Sequence, residues 1–433
     1  MLSPFTLTPP LGLAYVAGVT PPDWDVKILD ENFKPFEFEE ADLVGITAFT
    51  ANVNRAYEIA HIYRDKKIKV VMGGIHASMV PEEAMRYVDA VVVGEVEGIW
   101  VPVLRDFEYG HLAQKYEGPR VDLKALKVRP RRDLLNPGYL WKTVQTSRGC
   151  PFDCEFCSVT RYLGKGYRKR DVDDVLDELS GLEGNGVVFV DDNLIGHSKE
   201  ERRIAEELFT GMIKNNLNKK WFTQTSINAA DDERVLELAA AAGCILVGIG
   251  FETIDESALK TMKKGINLRT GVERYTKAVA TFHKYGIGVA GTFIIGNDDE
   301  PSTYYDRLAD FMVRSGIDAF QIAILTPLPG TALMDRIVSE NRLIYTDFPK
   351  DWDKFRMSYV TIQPKGTTAE AIYGGDNHIK RRLYSFPTFH WRMLRSLICL
   401  RNSYAFYAVY KYNKGLKRSW QNAHYYQKSA RQS

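Results

Sequence analysis

Short apolar runs alternate with stretches of helical spacing along most of this chain, in two successive series. A strand that is apolar on both faces must be covered on both, and an intervening helix does so while keeping neighbouring strands parallel. In the first hundred residues, DVKILDEN, ADLVGITAFT, IKVVMGGIH and AVVVGEVEG read as buried parallel strands bounded by Gly, Asp and Asn. NRAYEIAHIYRD and PEEAMRYV have helical spacing between them. This predicts a doubly wound, Rossmann-like α/β domain over residues 1–110, with ligands beyond the carboxyl ends of its strands. A mixed stretch containing KVRPRRDLLNPG reads as a linker over 111–140. The second series occupies 141–336, with KTVQTS, GVVFVDDN, WFTQTSIN, ILVGIGFET, IGVAGTFIIG and AFQIAILTP as strands. Six βα units predict a partial (β/α)6 TIM barrel whose site lies at the strands' carboxyl ends. Residues 337–433 are expected to form a helical, basic and aromatic C-terminal region.

A chain of 433 residues suits two or three domains. No apolar run reaches the roughly 18 uncharged residues of a transmembrane helix, and no secretory leader is expected at the N-terminus. Five cysteines, three clustered and two scattered (Cys244 and Cys399), do not make a disulfide framework. A reducing cytoplasm is the expected location. Cys244 reads as buried packing.

Cys150, Cys154 and Cys157 lie in TSRGCPFDCEFCSV, on the loop after the first barrel strand. A structural zinc site takes four protein ligands, and no further Cys or His lies close in sequence. A [4Fe–4S] cluster also takes four cysteines as a rule. Three thiolates would leave one iron open to a substrate or cofactor, with Phe156 placed to cover the cluster or a ligand's adenine.

With this loop opening a six-unit βα series, the chain resembles the radical S-adenosylmethionine (SAM) superfamily over roughly residues 141–336. The resemblance implies that SAM chelates the open iron and is cleaved to a 5′-deoxyadenosyl radical that abstracts hydrogen. Asp191, Asp192 and Asn193 of FVDDN stand where the family holds the SAM amino group, in place of the commoner Gly-Gly-Glu. Gln224, Thr225 and Ser226 of TQTSIN, Glu252 of GIGFET and Gly291 of GTFIIGNDDE match later strand-end contacts, the last near adenine. LTPLPGT, residues 325–331, resembles the sixth-strand ending of this subgroup.

The first domain resembles the cobalamin (B12)-binding domain that precedes the barrel in B12-dependent radical SAM proteins. PPLGLAYVAG, LDEN, VGITAFT, GGIHASMVPEEA and VVVGEVEG carry the resemblance. It implies cobalamin contacts at Thr47, Thr50, Gly73, Gly74, Gly94 and Glu95. The motif Asp-x-His-x-x-Gly is absent, so no histidine is expected below the cobalt, and His76 reads as structural. The chain opens on MLSPFTLTPPLGL where relatives have an apolar strand, so a sheet lacking that first strand is expected.

Together these resemblances imply cobalamin-dependent methylation of an unactivated carbon in a small molecule, such as a lipid or isoprenoid. An external flavodoxin- or ferredoxin-type protein would donate the electron. Two alternatives stand beside this reading: a cobalamin-linked cyclase or rearranging enzyme, and a non-catalytic partner sensing SAM or redox state.

The net charge of +2 conceals an uneven distribution. Residues 377–433 hold 12 Lys and Arg and no acidic residue, leaving 45 basic against 55 acidic residues elsewhere. FHWRMLRSLICLRNSYAFYAVYKY can form one helix. A helical wheel gathers Met393, Leu394, Leu397, Ile398 and Leu400 on one side, and Arg392, Arg395, Ser396 and Cys399 on the other. The tail reads as a helical cap on the acidic body, or as a peripheral contact with an anionic membrane. Nucleic acid is not the expected partner, although stacking and phosphate pairing use the same residues.

Overall fold

A computed structural model of the protein describes residues 8–429, apart from Asp299 and Ser302, with side chains described to residue 422. The first domain holds a four-stranded parallel sheet of β1 (Leu43–Thr47), β2 (Lys69–Gly73), β3 (Ala90–Gly94) and β4 (Lys115–Gly118), in that spatial order. Alternate residues of each strand serve opposite cores, as strand geometry requires. Val70, Met72 and Val91 pack with the Val53–Asp65 helix, while Val71, Ala90 and Val92 pack with the Trp100–Glu108 helix.

Two expectations change here. DVKILDEN is not a strand: its backbone has no ladder partner among the described residues, and β1 pairs only with β2. The stretch expected as a linker contains β4, which pairs with β3 from Val91–Lys115 to Gly94–Gly118. Its sequence, KYEG, lacks an apolar run because only Tyr116 is buried. The expected absence of a first strand concerns a segment whose first seven residues lie outside the described residues. Residues 11–19 of that opening form a helix.

The second domain begins with β5 (Lys142–Val144). The short antiparallel pair β6 (Ser147–Arg148) and β7 (Arg168–Lys169) frames the cysteine loop. The strands β8 (Gly186–Phe189), β9 (Lys220–Thr225), β10 (Cys244–Glu252), β11 (Gly288–Ile295) and β12 (Ala319–Ile324) follow. All six long-sheet strands run parallel in the order β12-β11-β10-β9-β8-β5, an open partial barrel. Each predicted barrel strand is present; β8, β10, β11 and β12 are apolar runs covered on both faces, whereas β5 is only KTV and β9 is the mixed KWFTQT.

The region 337–433 is not helical throughout. After the Ala332–Ser339 helix, residues 340–368 are largely irregular, and Trp352 and Phe355 from this stretch join the core of the first domain. Helices resume at Ala369–Tyr384, Phe386–Leu400 and Ser403–Ser429. The single helix expected over 389–412 is broken because Arg401 adopts left-handed φ, 48°. The Asn402 side chain then accepts from Tyr404 N and Ala405 N, starting the next helix.

Candidate active site

The cysteine loop is held at its beginning, middle and end. Asp191, fully buried at the carboxyl end of β8, accepts from Thr146 N (3.1 Å), Thr146 Oγ1 (2.7 Å) and Ser147 Oγ (2.5 Å). Every donor is neutral, so burial pushes the Asp191 carboxyl above its ordinary range. In the middle, Glu155 N donates to Met262 O and Glu155 O accepts from Leu333 N, each at 3.0 Å. The Glu155 carboxylate takes Arg336 Nε at 2.6 Å. At the end, Gly166 N donates to Cys150 O. The loop is therefore tied to segments following β10 and β12 as well as to β8.

All three cysteines are free thiols, Cys154 buried and the other two half-buried. Burial raises Cys154 and pushes Cys150 up to about 11 and Cys157 up to about 12. Such thiols would lose their protons on meeting a metal rather than in solution. Among the described residues, no three ligating side chains converge closely enough to hold a single ion. A structural zinc centre takes four protein ligands, whereas a cubane can be held by three thiolates at separate corners. The donor set, three thiols on one braced loop with no fourth, therefore fits a [4Fe–4S] cluster with an open iron.

The family-matched residues divide into those facing the loop and those used by the fold. Asp192 lies near Cys150 and Cys157 and is pushed up to about 7, first by burial and then by Asp191. The Tyr167 hydroxyl is buried in the same place without a hydrogen-bond partner of normal geometry. An orphaned donor beside a buried carboxylate fits a polar ligand such as the amino-acid part of SAM. Asn193 instead ties β8 to β9. Its side chain accepts from Thr225 Oγ1 and Ser226 N and donates to Ser226 Oγ at 2.7 Å. The Gln224 side chain is exposed.

Glu252 has left-handed φ, 63°, and its carboxylate takes Lys264 Nζ at 2.6 Å. Lys264 also feels Cys154 and Cys157, and its charge is held well above the usual lysine range by Glu252 and these thiols despite burial. It lies 6.0 Å from the Phe156 ring centroid. Sequence reasoning missed Lys264, Glu155 and Arg336, because a charged residue paired with a partner far away in sequence carries no periodic signal. Phe156 lines a hollow with Met262, Asn297 and Leu325, at the ends of the later strands. Gly291 lies deeper in β11, where an added Cβ would press on Ile317, Phe251 and Phe293 at 3.1–3.2 Å. Its smallness serves barrel packing.

The first domain meets this loop with the carboxyl ends of its strands. Tyr162 OH reaches Gly94 O at 3.4 Å, and Met79 packs at Gly330 after β12. Glu95 spans the junction: its carboxylate takes Arg168 (2.8 Å) and Val121 N (2.7 Å), with Arg148 at 3.6 Å. Burial opposes its charge, but these partners hold it below the ordinary carboxylate range. Arg148, two residues before the first cysteine, also pairs with Glu97. Thr50 is buried and bonded to His76 Nδ1 at 3.2 Å. His76 is fully buried among Tyr57, Glu83 and Trp352, the structural role expected of it. Gly74, with φ 88°, passes so close to Thr47 that an added Cβ would stand 2.2 Å from Thr47 Oγ1. Thr47 is exposed and Gly73 and Gly74 are half-buried at the carboxyl ends of β1 and β2, where the glycines keep side chains off the backbone. Thr50 and Glu95 are spent on internal contacts, and Gly94 N is bonded to Ser78 Oγ. Cys244 is buried beside Leu246, as expected of a packing residue.

Comparison with known proteins agrees with this layout. The B12 binding domain model matches residues 2–103, and the Radical SAM superfamily model matches 144–312. The chain is 30% identical over 401 residues to bacteriochlorophyllide d C-12(1)-methyltransferase of Chlorobaculum tepidum, covering 89% of this chain and 84% of that one. It is 28% identical over 353 residues to hopanoid C-2 methylase of Rhodopseudomonas palustris, covering 78% and 66%. Its fold is similar to that of the radical SAM methyltransferase TsrM of Kitasatospora setae, with a TM-score of 0.65, 17% identity, and coverage of 77% and 73%. The two family models match both strand series and the first relative extends along nearly the whole chain, which belongs to the radical SAM enzymes that carry a B12-binding domain.

Proposed function

We propose that this enzyme methylates an unactivated carbon of an apolar small molecule, with cobalamin as methyl carrier. The observation that carries this reading is the meeting of two sets of strand ends, with the cysteine loop between them. Cys150, Cys154 and Cys157 would hold the cluster, Asp192 and Lys264 would meet the charged groups of SAM, and Thr47, Gly73 and Gly74 would border cobalamin. When bound, the cluster and SAM supply a 5′-deoxyadenosyl radical, and cobalamin supplies the methyl group. The chain's own part is to orient these groups and to exclude water from the junction. Arg148, two residues before the first cysteine, ties the loop to the capping domain through Glu97.

The names of the relatives support an apolar polycyclic or lipid-like substrate, since one acts on a bacteriochlorophyllide and another on a hopanoid. A flavodoxin- or ferredoxin-type protein would deliver the electron.

The test is anaerobic reconstitution with iron, sulfide and methylcobalamin, followed by SAM and a strong reductant. Both 5′-deoxyadenosine and S-adenosylhomocysteine are expected. Deoxyadenosine alone, with candidate substrate present, would remove methyl transfer and leave the cyclase reading. Zinc in place of iron and sulfide in purified protein would overturn the site itself.

A further inference from the structure

We propose that the outer face of the two last helices is a docking surface for an anionic membrane. The proposal starts from an inversion. The wheel of residues 389–400 puts Arg392 and Ser396 on its polar side, yet the structure turns both inward. Arg392 donates to Asp318 O at 2.9 Å and Asn413 Oδ1 at 3.2 Å, and covers the Phe320 ring at 4.7 Å. Ser396 Oγ donates to the Asp318 carboxylate at 2.6 Å. The Phe386–Leu400 helix is thus anchored by polar contacts together with buried Phe389, Met393 and Leu400, while Leu394, Leu397 and Ile398 of its apolar side face out.

Phe386, Trp391, Leu394, Leu397 and Ile398 are 77%, 57%, 49%, 49% and 62% exposed. At helical spacing they share one arc of about 140°. Tyr404 and Tyr407 follow on the next helix, both 60% exposed. Seven of the seventeen exposed large apolar side chains among the described residues therefore lie between 386 and 407. Scattered exposed apolar residues are ordinary; a concentration on one surface marks an interaction site.

Charge identifies the occupant. Tyr404, Tyr407, Lys411, Lys414 and Arg418 recur at spacings of three and four and are all exposed, so the aromatic face runs into a basic one. Lys411 stands 5.3 Å from the Tyr407 ring centroid. No Asp or Glu occurs from 377 to 433. A second copy related by a two-fold axis would set this basic surface against itself. An anionic bilayer supplies the opposite charge, accepts apolar side chains at the headgroup boundary, and suits Trp and Tyr there. A 15-residue helix is too short to cross and would lie in the plane. Among the described residues, no helix is long and apolar enough to span a membrane. Asp318 stands at the amino end of β12, opposite the cysteine loop, so docking leaves the site mouth clear. The proposal is therefore independent of substrate and of methyl transfer.

Sedimentation of the full chain with vesicles tests it. Binding is expected to mixed phosphatidylcholine and phosphatidylglycerol, to weaken with salt, and to be much lower with phosphatidylcholine alone. The Leu394→Ser/Ile398→Ser variant should lose binding. The Lys411→Gln/Lys414→Gln/Arg418→Gln variant should bind roughly a hundredfold more weakly. Both change exposed side chains, so thermal unfolding and deoxyadenosine formation in solution should match the parent chain. That assay separates failure here from failure of the proposed chemistry. Absence of binding to mixed vesicles, or equal binding by parent and variants, would overturn the proposal. So would a solution dimer dissolved by Leu394→Ser/Ile398→Ser, which would make a second copy the occupant.

Discussion

Asp191 and Asp318 are both fully buried carboxylates, and they stand at opposite ends of the barrel. Each holds a neighbouring segment. Asp191 receives the start of the cysteine loop through hydroxyl and backbone donors alone. Asp318 receives Ser396 of a C-terminal helix and also binds Val289 N at 2.8 Å and His283 Nε2 at 2.9 Å. One anchor shapes a reactive loop and the other fixes which side of a helix faces out. The difference is in the hydrogen-bond partners: neutral donors alone bond to Asp191, with Lys169 acting only through its charge, whereas a histidine nitrogen bonds directly to Asp318.

The largest expected effect confines chemistry to one end. Cys154→Ala should reduce deoxyadenosine to background and lower bound iron, while Asp318→Ala should leave the iron-to-protein ratio near that of the parent. If the two variants lost iron alike, the ends would not be separable.

Lys264→Met comes next. It leaves Glu252 buried without its partner and should cost about 3–5 kcal/mol in denaturant unfolding. Adding Glu252→Gln should restore most of that loss, which a purely steric defect at Lys264 would not allow.

The carboxylates themselves follow. Alanine at either should cost about 2–3 kcal/mol, because buried donors lose their acceptor. Asparagine should distinguish them: under about 1 kcal/mol at Asp191, where a neutral side chain suits neutral donors, and about 2 kcal/mol at Asp318. Equal costs would erase the distinction drawn from their partners.

The smallest effect is a pH dependence near the later strand ends. Burial pushes Glu300 up to about 6, although Gly296 N and Asn297 Nδ2 donate to it at 2.9 and 2.7 Å. A raised carboxyl favours the folded state while protonated. This contribution is full below the ordinary glutamate range and is lost as pH rises through about 6, by roughly 2 kcal/mol. Glu300→Gln should flatten that slope in thermal unfolding between pH 4 and pH 7, a window set by these values.

Much of the architecture was legible because it rests on local patterns. Four of the six barrel strands are apolar runs, and the cysteine triad is a spacing within a single loop. DVKILDEN has the composition of a strand but lacks a ladder partner, and composition alone does not supply one. KYEG forms a strand because β3 offers an edge, although only Tyr116 is buried. Thr50 and Glu95 occupy family-matched positions, yet their polar atoms are engaged by His76 and by Arg168 and Arg148. Such engagements join residues tens of positions apart and leave no local trace.

By itself, the sequence determined two parallel α/β units, the three-thiol loop between strand and helix, and a C-terminal region without acidic residues. These depend on side-chain period and residue type, which act over a few residues. Only the tertiary structure decided that Arg336 reaches Glu155 and Lys264 reaches Glu252 beside the loop, that Arg148 and Glu97 join the two units, and that Arg392 turns inward. Each of those choices depends on which buried polar group finds a partner. Ser396 turns inward because the buried Asp318 carboxylate, more than sixty residues away in sequence, accepts its hydroxyl, and that inward face leaves Leu394, Leu397 and Ile398 outside.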